Sequence, residues 1–165
     1  MPRTPFNVLF VCLGNICRSP AGENMFRHLV EDAGLGDAIH IDSAGTHDYQ
    51  IGNAPDRRMQ KTLQSRGIPS TGKARQISGY DLFNFDLILT MDADNYARVA
   101  ALAGAPEDRD KVKRFTDFCV DPDHQVADVP DPYYGNGAGF EMVADMIEDG
   151  CRQLLDHVRN ELAAR

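Results

Sequence analysis

The apolar run from Phe6 to Val11 ends abruptly in the octet Cys12-Leu13-Gly14-Asn15-Ile16-Cys17-Arg18-Ser19, and a long helical pattern begins at Pro20. No other stretch limits the fold as much. Val8-Leu9-Phe10-Val11 reads as a buried strand, and Ser19-Pro20 as a helix start, with Ser near the cap and Pro in the first turn. The octet must then carry the chain from a strand's carboxyl end to a helix N-terminus. Such a helix end presents unpaired backbone N–H groups and a positive partial charge, both suited to an anion. Gly14 and Asn15 tolerate left-handed backbone angles, so the loop can curl until its amides point inward. Five residues separate Cys12 from Arg18, enough to ring one phosphate with both side chains on it. The guanidinium can grip two phosphoryl oxygens at once, and the same donors favour the nucleophilic thiolate at Cys12.

Two plainer readings of these cysteines have to be weighed. A cysteine closing a buried strand is ordinarily an inert core residue. Only the whole Cys-x5-Arg-Ser string, set between strand and helix, turns the reading towards chemistry. A metal site is not expected, because Cys119 and Cys151 are isolated and no second pair of Cys or His accompanies Cys12 and Cys17.

The remaining pattern alternates strands with helices. A helix is expected over about Pro20 to Ala33, a short strand over Ala38 to Asp42, and a helix over Asp56 to Ser65 closed by Gly67. Asp86 to Met91 reads as a strand, Asp92 to Ala103 as a helix and Val112 to Phe115 as a short strand. A long loop follows from Thr116 to Ala138. An apolar stripe at Phe140, Val143, Ala144, Ile147, Leu154, Leu155, Val158 and Leu162 marks a final helix that covers the sheet. The expectation is an α/β fold: a single-domain, doubly wound, parallel four-stranded sheet with helices on both faces and the phosphate-binding loop between the first strand and first helix. Ligands in such sheets sit at the strands' carboxyl ends, where Cys12 falls.

Bulk properties narrow the function. With 165 residues and 42% hydrophobic content, one well-filled core is expected, and residues 1–165 read as one domain. A net charge of −8 argues against nucleic acid or an anionic membrane as partner, so any anion site is local. No apolar run approaches the ~20 residues of a membrane helix. The short N-terminal apolar stretch does not read as a signal peptide, and cysteines without framework spacing point to a reducing cytoplasm.

The string VLFVCLGNICRSPAGENMFRHLV, together with Asp131-Pro132-Tyr133-Tyr134-Gly135, resembles the low-molecular-weight protein tyrosine phosphatase family. Asp42-Ser43-Ala44-Gly45-Thr46, Ile51-Gly52-Asn53, Gly67-Ile68-Pro69, Ala74-Arg75-Gln76-Ile77 and Met91-Asp92 extend the likeness in family order. The resemblance implies hydrolysis of phosphotyrosine and aryl phosphates through a phosphocysteine on Cys12, with Arg18 binding the phosphoryl group. Asp131 matches the general acid and then base. Spacing does not distinguish it from Asp121, Asp123 and Asp128, which read as ordinary turn residues; the DPYYG match does. Pro130 and Pro132 stiffen the backbone on either side of it.

Tyr133 and Tyr134, with Tyr49, are candidates for an aryl slot too deep for phosphoserine. Apolar Ile16 favours phosphotyrosine, since relatives that resemble arginine phosphatases carry threonine there. Cys17 is a candidate redox partner that captures oxidised Cys12 as a disulfide; its other reading is simple packing beneath the loop. Gly72 stands where many eukaryotic relatives have a histidine supporting the loop asparagine, leaving Asn15 to Ser19, Ser43 or water. His47 reads as a surface residue.

No cofactor is implied. The expected partner is a phosphotyrosine-containing protein, a tyrosine kinase being one candidate, acted on by a monomer. An arsenate reductase on the same scaffold would need further cysteines, and Tyr80 to Met91 has none. A silent phosphoprotein-binding or redox-sensing module would need neither nucleophile nor acid.

Overall fold

A computed structural model describes residues 4–133, 135 and 137–165. Strand β1 (Phe6–Cys12) explains the architecture. Its side chains alternate with period two, Val8, Phe10 and Cys12 facing one hydrophobic core, Leu9 and Val11 the other. A strand apolar on both sides needs cover on both faces, which is the condition of a parallel sheet wrapped by helices. β1 pairs in parallel with β2 (Ile39–Gly45) on one side and β3 (Leu87–Thr90) on the other. β4 (Val112–Arg114) continues beside β3, giving the order β2-β1-β3-β4.

Helices α1 (Arg18–Asp32), α2 (Arg57–Gln64) and α6 (Gly137–Ala163) cover the face with Phe10, contributing Phe26, Met59, Leu63 and Phe140 to its core. Helices α3 (Gly79–Asn84) and α4 (Ala93–Ala101) cover the other, through Leu82 and Val99. A four-residue α5 (Pro106–Arg109) buries nothing and serves as a connector. The chain leaves β1 for opposite sides of the sheet, so a crevice opens beyond the carboxyl ends of β1 and β3. Cys12 and Asp92 stand at that crevice.

Several boundaries differ from the sequence pattern. β2 runs on to Gly45, because pairing with all of Phe6 to Cys12 carries it past Asp42. α1 starts at Arg18, two residues ahead of Pro20, with Cys17 at the cap and no side-chain cap bond, so Ser19 stands near the cap and Pro20 in the first turn. α3 was not anticipated, although Ser78 and Asp81 form a reciprocal capping box at its start. The long loop contains 3-10 turns at Phe115–Phe118 and Pro122–His124, and α6 begins at Gly137, ahead of its first apolar anchor Phe140. No helix of the described residues is long and apolar enough to cross a membrane.

α6 lies so close to the 3-10 turn Phe115–Phe118 that a Cβ on Gly150 would overlap the Phe115 ring, itself fully buried and 6.2 Å from Phe10 between centroids. Gly150→Ala should therefore destabilise the fold by about 1–3 kcal/mol through overpacking. Urea unfolding checks this, with the penalty shrinking in a Phe115→Leu background where the ring is gone.

Candidate active site

The phosphate loop is shaped by one residue in a left-handed conformation. Asn15 has φ 59°, while Gly14, the other candidate for such angles, does not adopt them. An asparagine tolerates this region better than most residues, but the conformation persists only where its surroundings hold it. Here the side-chain amide is fully engaged. Asn15 Nδ2 donates to Ser19 Oγ at 2.8 Å and to Ser43 Oγ at 2.9 Å, and its Oδ1 accepts the Arg75 backbone N–H at 3.0 Å. Ser43 donates in turn to Glu23, which is paired with Arg27 at 2.7 Å. The Ser19 hydroxyl lies 3.0 Å from Cys12 Sγ and 3.4 Å from the Ala44 carbonyl. Having accepted from Asn15, it has one hydrogen to give, and the sulfur is the nearer acceptor.

Arg18 is buried, its side chain 3% exposed, and anchored mainly through one nitrogen. Nη1 donates to Asp92 at 2.7 Å and to the Val129 carbonyl at 3.0 Å, and Nη2 lies 3.5 Å from Asp131 Oδ2. Burial opposes its charge, but Cys12, Asp92 and Asp131 outweigh that and raise its pKa, so it is cationic at any working pH. Asp92 was visible in the sequence only as part of a family string. Its position, capping α4 through the Asn95 N–H at 2.8 Å directly beyond β3, was the available signal.

Asp131 reaches the site because its loop is pinned beside β3. The Val129 N–H donates to the Met91 carbonyl at 2.7 Å while Val129 is fully buried, and Asp128 accepts the Ala93 N–H at the start of α4. Asp121 accepts the Asp123 N–H, an ordinary turn role. Asp131 Oδ1 accepts the Tyr133 N–H at 3.0 Å, which leaves Oδ2 towards the pocket.

One pocket gathers Cys12, Leu13, Gly14, Ile16, Cys17, Arg18, Tyr49, Asp131 and Tyr133, together with Gln50, which the sequence reading missed. Asn15 and Ser19 stand behind the loop as its braces. Tyr134 lies outside the described residues. Tyr49 is 71% exposed, a rim residue, stacked on His47 at 5.1 Å between centroids.

A family model described as low molecular weight phosphotyrosine protein phosphatase matches residues 7–164. The chain belongs to that family. It is similar to the low molecular weight protein-tyrosine-phosphatase YfkJ of Bacillus subtilis, 46% identical over 157 residues that cover 94% of this chain and 97% of that protein. The human low molecular weight phosphotyrosine protein phosphatase is 41% identical over 151 residues, covering 91% of this chain and 94% of its own. A crystal structure of protein tyrosine phosphatase from Entamoeba histolytica, with Hepes in its active site, superposes with a TM-score of 0.90 at 38% identity, covering 94% and 98% of the two chains. The protein is accordingly a protein tyrosine phosphatase, a hydrolase of phosphoric monoesters.

Two positions show how this phosphatase builds the family site. Gly72, where the supporting histidine was missed, has φ 117° and open space around it. Ser19 and Ser43 hold Asn15 as expected, and the Arg75 amide joins them. His47 is half-buried rather than free at the surface, bonded to Thr46 Oγ1 at 2.9 Å as well as stacked on Tyr49.

The other cysteines of the phosphatase are not poised for chemistry. Burial first, then the nearby Asp149 charge, pushes the Cys119 thiol up to about 12, and burial raises Cys151 well above the usual thiol range. Cys119 lies against α6 at the Met146 carbonyl, and Cys151, on α6 itself, faces the Gly22 carbonyl of α1.

Proposed function

We propose that the enzyme hydrolyses phosphotyrosine in two steps on Cys12, with residues 1–165 acting as one catalytic domain. The phosphoryl group sits in the loop with Arg18 on two of its oxygens. The Cys12 thiolate attacks phosphorus, the bond to the tyrosyl oxygen breaks, and that oxygen takes its proton from Asp131. Asp131, now a carboxylate, removes a proton from the water that attacks the phosphocysteine. The S–P bond breaks, phosphate leaves, and the sulfur departs as a thiolate towards the Ser19 hydroxyl. Tyr49, Tyr133 and Tyr134 wall the aryl slot, Ile16 supplies an apolar contact in it, and a phosphoserine is too short to reach the thiolate.

The observation that carries this reading is the 3.5 Å approach of Arg18 Nη2 to Asp131 Oδ2, which brings residues 113 positions apart to one pocket with Cys12. A phosphotyrosine-bearing protein is the substrate, a tyrosine kinase being one candidate, and the enzyme works as a cytoplasmic monomer. Cys17 serves as the redox partner. A peroxide converts the Cys12 thiolate to a sulfenic acid, and the Cys17 thiol attacks that sulfur, forming a disulfide and releasing water. Burial, with Asp56 and Cys12 beside it, raises the Cys17 pKa, so it attacks more slowly than an exposed thiol.

Quenched-flow turnover of para-nitrophenyl phosphate tests the two-step path. A burst of nitrophenol with an acid-stable phosphoenzyme on Cys12 is expected. Turnover without phosphate on Cys12 would move the nucleophile elsewhere.

A further inference from the structure

We propose that Arg58 is a positioning residue that holds the acid-bearing loop in register with the phosphate loop. The inference rests on the reading of Asp131 as general acid. Arg58 stands at the second position of α2, between the two loops. Its Nε and Nη2 grip Asp56 at 3.1 and 2.9 Å, and Nη2 also donates to the Tyr133 carbonyl at 2.9 Å, across 75 positions of sequence. The guanidinium carbon lies 5.5 Å from the Tyr133 ring centroid and 4.6 Å from that of Phe140, the first apolar anchor of α6.

Both ends of this clamp lead to the reacting groups. The Asp56 N–H donates to the Ile16 carbonyl at 2.8 Å, so Asp56 is tied to the phosphate loop. The Tyr133 N–H donates to Asp131 Oδ1 at 3.0 Å, so Tyr133 is tied to the acid. A continuous path therefore runs from Ile16 through Asp56, Arg58 and Tyr133 to Asp131. The acid is pinned upstream through Val129 and downstream through this path.

The chemistry of the group suits the task. A guanidinium offers a planar fork for the Asp56 carboxylate, a further donor for the Tyr133 carbonyl, and two faces for aromatic rings. A lysine has none of that planarity. The Arg58 side chain is 45% exposed, and an exposed ion pair adds little to stability, so the bridge matters mainly for where Asp131 sits.

Leaving-group dependence reads this directly, because a misplaced acid harms phenolates that need a proton more than those that do not. Arg58→Met should lower kcat/KM about tenfold on phenyl phosphate and by less than about twofold on para-nitrophenyl phosphate, with vanadate inhibition unchanged. In an Asp131→Asn background the same change should add no further leaving-group dependence, since the acid is already absent. Equal losses on both substrates, or full additivity with Asp131→Asn, would overturn the proposal and leave the acid assignment standing. Equal losses in Asp131→Asn alone would remove the acid assignment and this proposal with it. Should Arg58→Met not fold, Arg58→Lys keeps the charge and loses the fork. The same selective loss, smaller in size, is then expected, and its absence overturns the proposal.

Discussion

Replacing Cys12 with serine should lower turnover by at least about 10⁴-fold while vanadate or phosphate still binds. The separation follows from how the site is divided. The donors that would hold a phosphoryl group belong to the loop backbone and to Arg18, which Asp92 and the Val129 carbonyl keep in place independently of the sulfur. On the proposed two-step path the nucleophile is Cys12 alone. A hydroxyl in its place has the right position and the wrong acidity, because a serine hydroxyl holds its proton far more tightly than a thiol among the same donors. Steady-state kinetics with para-nitrophenyl phosphate and isothermal titration with vanadate measure the two halves. Loss of binding together with turnover would mean that Cys12 holds the loop's shape; turnover at the wild-type rate would remove it as nucleophile.

Asp131→Asn should give the second large effect, a loss of about 10²–10³-fold in kcat/KM on phenyl phosphate and a much smaller one on para-nitrophenyl phosphate. Asparagine keeps an oxygen to accept the Tyr133 N–H, so the loop retains its turn while the transferable proton is lost. Nitrophenolate departs without help and phenolate does not. A loss equal on both substrates would point to a different acid.

How much of this could be read from sequence depended on the range of the interaction. The phosphate loop was legible because strand, loop and helix are contiguous, and Cys12, Asn15 and Arg18 need only local geometry to converge. The two-faced burial of β1 was likewise written in the apolar run from Val8 to Cys12. Asp131 could be separated from its neighbours only through the family likeness, because what places it is Val129 bonding to Met91 across the sheet. Gln50 and Arg58 escaped notice, and Asp92 was seen only in a family string and as a helix start. Asp92 and Arg58 are unremarkable surface residue types with partners on another segment, Arg18 and the Tyr133 carbonyl, while Gln50 bonds to its near neighbour Asn53 and reaches the pocket only through the fold. The left-handed angle fell on Asn15 and not on Gly14, since conformational tolerance says where such an angle is permitted and the amide's three partners decide where it is needed. α3 was missed because six residues carry too little periodicity, although its capping box was legible.

The order in which the sheet recruits its strands has a bearing on how this enzyme comes into being. Cys12 and the Asn15, Ser19 and Ser43 braces behind it can come together around β1, β2 and α1, all within the N-terminal third of the chain, whereas Arg18 finds Asp92 and Val129, and Asp131 docks, only after β3 has provided Met91 and α4 its capped start. Contacts of such long separation form late, after the cost of closing large loops has been met. A nascent chain emerging from the ribosome thus carries its thiol and the braces of its loop well before it carries the groups that fix Arg18 and the proposed proton donor. Until the last third is made and folded, the thiol stands without a fixed guanidinium or an acid beside it, so hydrolytic competence is expected as one of the final events of folding.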